Sequence, residues 1–322
     1  MVELDDLFNG GLDSKMDFLN DQKTTNNDGI YRVDLSKVKD KKRGWKSVIR
    51  FLPNLTRDGK VGQSAIEKIT HYVDIKQPKE LSGWFDSPKN FGDKCPLTEL
   101  YYNMQNSKNA ILIEKSKQLK YSKKYYSYIL VLEDEQQPEL VGKIMIFQYG
   151  KIIKDKIQAE RNGEISGVPC NVFSLDSGKD FVLVVKEIQT NDVTYPDYKM
   201  SMFRPETTSI PIYSKEKKTF KNAPLNEEGK IDVSVQEKIK NFLLDREHDL
   251  EEFAPKRLTE EQQSKITEIT NFLLGKSSSS FSAIKESKPS SSDFDFEDNF
   301  SKSSSEIETK ISTDEDDFFD DF

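Results

Sequence analysis

Two neighbouring stretches limit most strongly what this chain can fold into. They are Lys120-Tyr-Ser-Lys-Lys-Tyr-Tyr-Ser-Tyr-Ile-Leu-Val-Leu132 and Lys143-Ile-Met-Ile-Phe-Gln-Tyr-Gly-Lys151. Each joins an aliphatic run to lysines and aromatic rings. Ile, Val, Leu and Tyr suit a pleated, packed surface, so each aliphatic run is expected to be a buried strand. The basic, aromatic ends are expected to stand out of that packing. Lysine beside exposed rings is the chemistry that single-stranded nucleic acid requires: ammonium groups neutralise phosphates, and rings stack on bases at roughly 1–3 kcal/mol per base. A Tyr-rich hairpin with a solvated lysine edge would carry the same residues, so the two stretches alone leave both readings open.

Charge separates along the chain. The formal net charge of the 322 residues is −8. Residues 290–322 hold twelve Asp/Glu and two Lys, and residues 1–28 hold seven Asp/Glu and two Lys, which leaves +7 for residues 29–289. A mildly basic body between two acidic ends favours a polyanionic partner, where the overall charge alone would argue against one. The two cysteines, Cys95 and Cys170, form no disulfide framework and point to a reducing compartment. The acidic start Met1-Val-Glu-Leu-Asp-Asp does not suit a targeting peptide, and no apolar run approaches a membrane span, so a soluble intracellular protein is expected.

Taken in order, residues 1–28 read as a mobile acidic arm. Residues 29–275 read as the folded core. Tyr31-Arg-Val-Asp-Leu-Ser alternates like a strand, and Ser47-Val-Ile-Arg-Phe-Leu-Pro53 reads as a second strand ended by proline. Arg50 alternates with Ile49 and Phe51, and it is expected to project into a groove beside the basic loop Lys37–Lys46. Residues 68–102 are rich in Gly, Pro, Asn and Asp and read mostly as loop. Within them His71 and Cys95 are two candidate zinc ligands, with Thr98 where the second thiol of a close pair would sit. A structural zinc site needs about four ligands, so no metal is expected.

Asp180-Phe-Val-Leu-Val-Val-Lys-Glu-Ile188 reads as a central strand, and short strands between turns point to a β-barrel or sandwich. Helical spacing then takes over. Ser234-Val-Gln-Glu237 and Thr259-Glu-Glu-Gln262 read as capping boxes, and Gly275 can end the second helix. The fold class expected is therefore α+β, with a β-barrel core and a helical part. Residues 276–322 form a Ser-rich, acidic tail whose composition cannot bury a core. Its phenylalanines, above all in the cluster Asp316, Asp317, Phe318, Phe319 and Phe322, read as a docking motif for a basic, apolar surface.

In this order the features resemble the single-stranded-DNA-binding, helix-destabilising proteins of T-even-type bacteriophages. The resemblance rests on Val48-Ile-Arg-Phe-Leu-Pro53, Cys95-Pro-Leu, Tyr125-Tyr126 ahead of Ile129-Leu-Val, Phe147-Gln-Tyr-Gly-Lys151 with Asp155-Lys-Ile157, Phe181-Val-Leu-Val-Val-Lys186, and the acidic terminus. It implies an OB-fold core beside a helical and a zinc-bearing subdomain, and cooperative coating of single-stranded DNA in phage replication, recombination and repair. It also implies a tail that recruits replication and recombination partners and covers the DNA groove, self-association along DNA, and a place in the infected cell's cytoplasm. By position it implies DNA contact at Arg50, Tyr125, Tyr126, Phe147 and Tyr195; charge adds Lys120, Lys123, Lys124 and Lys151. Two departures stand out. The family's His-plus-three-Cys zinc set retains only His71 and Cys95, and the arm Val2-Glu-Leu-Asp-Asp-Leu-Phe8 lacks the family's basic cooperativity motif. A protein-interaction hub and a single-stranded-RNA binder using the same barrel are the alternatives. Catalysis is not expected, because the sequence has no phosphate loop, no nucleophile elbow and only two histidines, His71 and His248.

Overall fold

In the computed structural model the described residues are 29–275, apart from Lys39, Ser166, Asn191 and Asp192. The expected acidic arm and Ser-rich tail, with Asp316 to Phe322, lie outside them. The strands are β1 (Ile30–Tyr31), β2 (Trp45–Phe51), β3 (Ile66–Val73) and β4 (Gly83–Asp86), followed after two helices by β5 (Leu119–Asp134) and β6 (Ile144–Tyr149). Next come β7 (Gly178–Thr190), β8 (Val193–Asp197), β9 (Met202–Thr208), β10 (Pro211–Ser214) and β11 (Thr219–Asn222). The helices are α1 (Pro96–Gln105), α2 (Ala110–Ser116), α3 (Lys151–Asn162), α4 (Val233–Leu244) and α5 (Glu260–Leu274). The class is mixed α+β.

Everything is hung on β5. Among the described residues nine strands form one sheet with the path β1-β6-β5-β2-β7-β8, while β3 joins β5, β4 joins β3 and β9 joins β7. β6 pairs with Tyr125–Leu130 of β5. The opposite edge of β5 is shared end to end: β3 takes Leu119–Tyr126 and β2 takes Ile129–Asp134. β10 and β11 make a separate hairpin.

Both faces of the sheet are covered over the aliphatic half of β5. On one side Tyr128, Leu130 and Leu132 pack with Val48, Leu52 and the inward residues Ile239 and Leu243 of α4. On the other Ile129 and Val131 pack with Trp45, Ile49, Phe51, Phe147, Phe181 and Leu183. Alternate residues thus serve alternate cores, as a strand's two-residue period requires. A third core joins Val73, Phe85 and Leu119 to Leu97, Leu100 and Met104 of α1 and to Ile266, Ile269 and Leu273 of α5.

Several local expectations change. The stretch after Tyr31 is not a strand: Asp34 caps a 3-10 turn at Leu35–Lys37 through its carboxylate. Residues 68–102 are more regular than a loop, because β3, β4 and the start of α1 lie there. The cap of α4 is Asp232, which accepts from the Ser234 amide. Ser234 is itself in the first turn, so the Ser234–Glu237 box is not the cap. The Thr259–Gln262 box is formed in both directions, and Gly275 ends α5 with φ 69°, where a side chain would be strained.

Candidate nucleic-acid interface

The amino-terminal half of β5 leaves the double cover of the two main cores. From Lys120 to Lys124 no residue is buried. Its side chains still alternate, so the lysine–tyrosine cluster is divided between two faces. Tyr121, Lys123 and Tyr125 share one face, with Glu67, Ile69 and His71 of β3 beside them. Lys120, Ser122, Lys124 and Tyr126 share the other, with Ile66, Lys68, Thr70 and Tyr72.

The first face forms a trough. Successive side chains on it stand about 7 Å apart, the two-residue repeat of a strand. The Lys123 ammonium lies 5.8 Å from the Tyr125 ring centroid and is held by Glu67 Oε1 at 2.8 Å. Tyr125, only 8 % exposed, stacks on Tyr149 at 5.7 Å with the rings 20° apart. Tyr149 ends β6, and two residues later exposed Lys151 begins α3. Tyr149 is 4 % exposed, and burial raises its phenol, partly opposed by its hydrogen bond with Ser127, so its ring is a neutral backing for Tyr125. α3 packs Ile153 into the same core as Tyr149 and is tied down by a buried ion pair, Lys179 Nζ to Glu160 Oε2 at 2.6 Å. At the other end Tyr121 meets the His71 ring edge-on at 5.6 Å. His71 in turn touches Cys95 and Thr98, which line an open cleft of about 530 Å³ together with Lys89, Lys94 and Tyr102. Rings and ammonium groups therefore follow one another from Tyr102 past Tyr121 and Lys123 to Tyr125, Tyr149 and Lys151.

Six expected contact residues lie elsewhere. Arg50 does not project into a groove. It is 0 % exposed, sits opposite Asp180 on β7, pairs with that carboxylate at 3.3 Å, and donates to the carbonyls of Thr208 (2.6 Å) and Ser174 (3.2 Å). Gly178 leaves room for it, since a Cβ there would stand 2.6 Å from Arg50 Nη2. Phe147 is not exposed for stacking: it fills the second core between Tyr31, Phe51 and Tyr149. Tyr126 points away from Tyr125, as adjacent strand residues must, and stacks under Phe253 at 5.1 Å. Burial pushes its phenol up to about 12. Lys120 and Lys124 share that opposite face; Lys120 pairs with Asp74 at 3.0 Å, and Lys124 stands across from Lys68. Tyr195 is on β8, opposite Ile188 of β7. Tyr121 and Tyr149 were not among the expected contacts, although strict alternation from Lys123 and Tyr125 singles out Tyr121.

The zinc implied by the resemblance does not fit these residues. His71 Nε2 is already engaged with Thr98 Oγ1 at 3.1 Å and Cys95 Sγ at 3.3 Å, and Phe85 occupies the position across the strand pair. Among the described residues no three His, Cys, Asp or Glu side chains gather where a metal could be held. Burial pushes the Cys95 thiol up, but hydrogen bonds from His71, Ser87 and Thr98 outweigh it and bring it down to about 6. The cluster is a hydrogen-bonded plug between β3 and α1.

Comparison with known proteins adds the following. The model of the family described as gp32 DNA binding protein like matches residues 43–273. The single-stranded DNA-binding proteins of Enterobacteria phages T4 and T2 are each 28 % identical to the chain over 149 residues. Those residues are 44 % of this chain and 46 % of each relative, so the match spans about half of either.

Proposed function

The chain belongs to the gp32-like DNA-binding family, and on that premise we propose that it is a sequence-tolerant single-stranded-DNA-binding protein without catalytic activity. The observation that carries this reading is the open part of the trough at Tyr121 and Lys123, backed by the buried rings of Tyr125 and Tyr149 and leading to Lys151. Rings in line offer stacking surfaces that accept any base, and the lysines meet the phosphates. Lys123 and Lys151 remain the contacts proposed from the sequence and Tyr121 joins them, while Tyr125, 8 % exposed, and Tyr149, 4 % exposed, support the row from the core. The strands around β5, β2, β6 and β7 are read as the OB-like core, residues 1–28 as an arm and 276–322 as a tail. In a phage such a protein would coat single strands during replication, recombination and repair.

The direct test is a titration of the full chain with a labelled oligothymidylate and with a duplex of equal length. Preference for the single strand, falling steeply with salt, is expected; equal affinity for both, or none for either, would overturn the reading. The tail is proposed to compete for the same trough and to recruit replication partners. Removing residues 290–322, which carry twelve acidic groups, should raise affinity most at low salt, where charges interact over the longest range. The fold is also proposed to be metal-independent. A chelator should leave the melting temperature unchanged, and a drop of several degrees would reinstate a metal.

A further inference from the structure

The face of the sheet opposite the trough carries an assembly that the fold does not need. Trp84 lies on β4, which among the described residues pairs only with β3, and its indole is 64 % exposed. It stands directly across from Tyr72, with ring centroids 4.8 Å apart and planes 36° apart. Tyr72 stands across from Lys120 of β5, whose ammonium lies 5.6 Å from the Tyr72 ring centroid. Two residues further along β5, past Ser122 and Thr70, Lys124 stands across from Lys68 on the same face. Like charges directly opposite on neighbouring strands repel, which Asp86 offsets at 3.2 Å from Lys68. Phe253 covers this face at Tyr126, and the backbone amide of Lys256 reaches Asp86 at 2.7 Å.

An edge strand is well served by short or charged side chains. An indole left mostly in water adds little to stability, because apolar side chains contribute in proportion to the area they bury. Here the exposed indole is paired with a second ring, and a row of lysines leads away from it. That is the combination of stacking platform and cationic track that an unpaired base and its phosphates require. An acidic peptide would be a poorer occupant, since the exposed ring pair that dominates the site carries no charge for its carboxylates to meet, whereas a base stacks on it.

We propose that Trp84 and Tyr72 form a second stacking site for an unpaired nucleobase, on the opposite face of the β3–β4–β5 sheet from the trough, with Lys120 as its phosphate contact. The site rests on the reading that the chain binds single strands, and it means that a long strand engages both faces of the sheet. Lys120 and Lys124 then contact nucleic acid, but away from Lys123.

The test uses the full chain and a labelled oligothymidylate long enough to reach both faces, about 16 nucleotides, the upper end of sites for one such barrel. Trp84→Ala and Tyr72→Ala should each weaken binding about tenfold, as loss of one stacked base does, while Trp84→Phe, which keeps a ring, should stay within about threefold. In the unsubstituted chain the bound oligonucleotide should quench indole emission and shield it from iodide. Trp45 is 0 % exposed and gives no such response. Unchanged affinity in Trp84→Ala, or an indole still open to iodide in the complex, overturns the second site. If Lys123→Ala weakens binding in the same assay, the primary reading survives that failure. If the unsubstituted chain binds no single strand, both fall together. Circular dichroism of the variants separates lost binding from lost fold.

Discussion

The two halves of β5 are one strand put to two uses. From Ser127 to Leu132 every side chain is buried, and successive residues feed opposite cores. From Lys120 to Lys124 none is buried, although the backbone hydrogen bonds to β3 continue without a shift in register. The difference lies in what covers the sheet. Over the carboxyl half, α4 and the segment Leu250–Phe253 close one face, and the aromatic cluster around Phe51 closes the other. Over the amino half Phe253 covers Tyr126, the Lys256 amide reaches Asp86, and α1 and α5 close the end near Leu119, while Lys120 to Lys124 stay unburied. A rigid strand anchored at one end thereby presents lysines and rings at fixed spacing at the other. Fixed rings lose little conformational freedom when a base stacks on them, which is why such platforms bind well.

The largest expected effect tests the anchored half. Arg50→Ala removes one partner of a buried pair and leaves Asp180, among the described residues, with the partly exposed Arg204 at 3.4 Å. Breaking a buried pair in this way costs about 3–5 kcal/mol. Chemical denaturation should show that loss, and any binding defect should follow the unfolded fraction. If Arg50→Ala were as stable as the parent but bound DNA poorly, the residue would belong to the interface after all. Next in size, Tyr121→Ala should weaken binding of a single strand by about 1–3 kcal/mol, the worth of one stacked base, with little effect on the denaturation midpoint. The opposite pattern would make Tyr121 a packing residue of the His71 cluster.

This contrast explains what could be read from the chain and what could not. The aliphatic run Ile129–Leu132 and the central strand around Phe181–Val185 declare themselves by composition, and the Thr259–Gln262 cap by spacing. The basic, aromatic segment was also legible as a surface. Its division between two faces follows from strand alternation, yet adjacent Tyr125 and Tyr126 look like a single patch in one dimension. Arg50 was illegible for a different reason. An arginine in an apolar strand reads the same whether it enters a groove or a core, and the partner that decides, Asp180, is 130 residues away. Phe147 likewise takes its role from Tyr31 and Phe51, on strands far off in sequence. β3 and β4 were hidden because Pro78, Gly83, Pro88, Asn90 and Gly92 punctuate the segment like a loop, while what makes them strands is the pairing of β3 with β5 and of β4 with β3.

The smallest effect addresses how the trough is held before any strand arrives. Lys123 is paired with Glu67 at 2.8 Å, and both side chains are a third or more exposed. A pair so open to water contributes roughly 0–1 kcal/mol to stability, so Glu67→Gln should barely move the midpoint of unfolding. Its effect on binding has the opposite sign to that of a lost contact. A phosphate that approaches Lys123 has to displace the Glu67 carboxylate and then lies close to its charge. Removing that charge should tighten binding of a single strand a few-fold at low salt. The gain should fade as ionic strength rises, because the Debye length shrinks to about 8 Å at 0.15 M and less beyond. Lys123→Ala should do the reverse: binding weakens, and the slope of log affinity against log salt falls in magnitude by about 0.7, the share of one phosphate contact on a single strand. In the double variant the Glu67 effect should vanish, since there is no ammonium left for it to mask. An equal Glu67→Gln gain with and without Lys123 would mean that the carboxylate repels the strand directly and does not restrain the lysine.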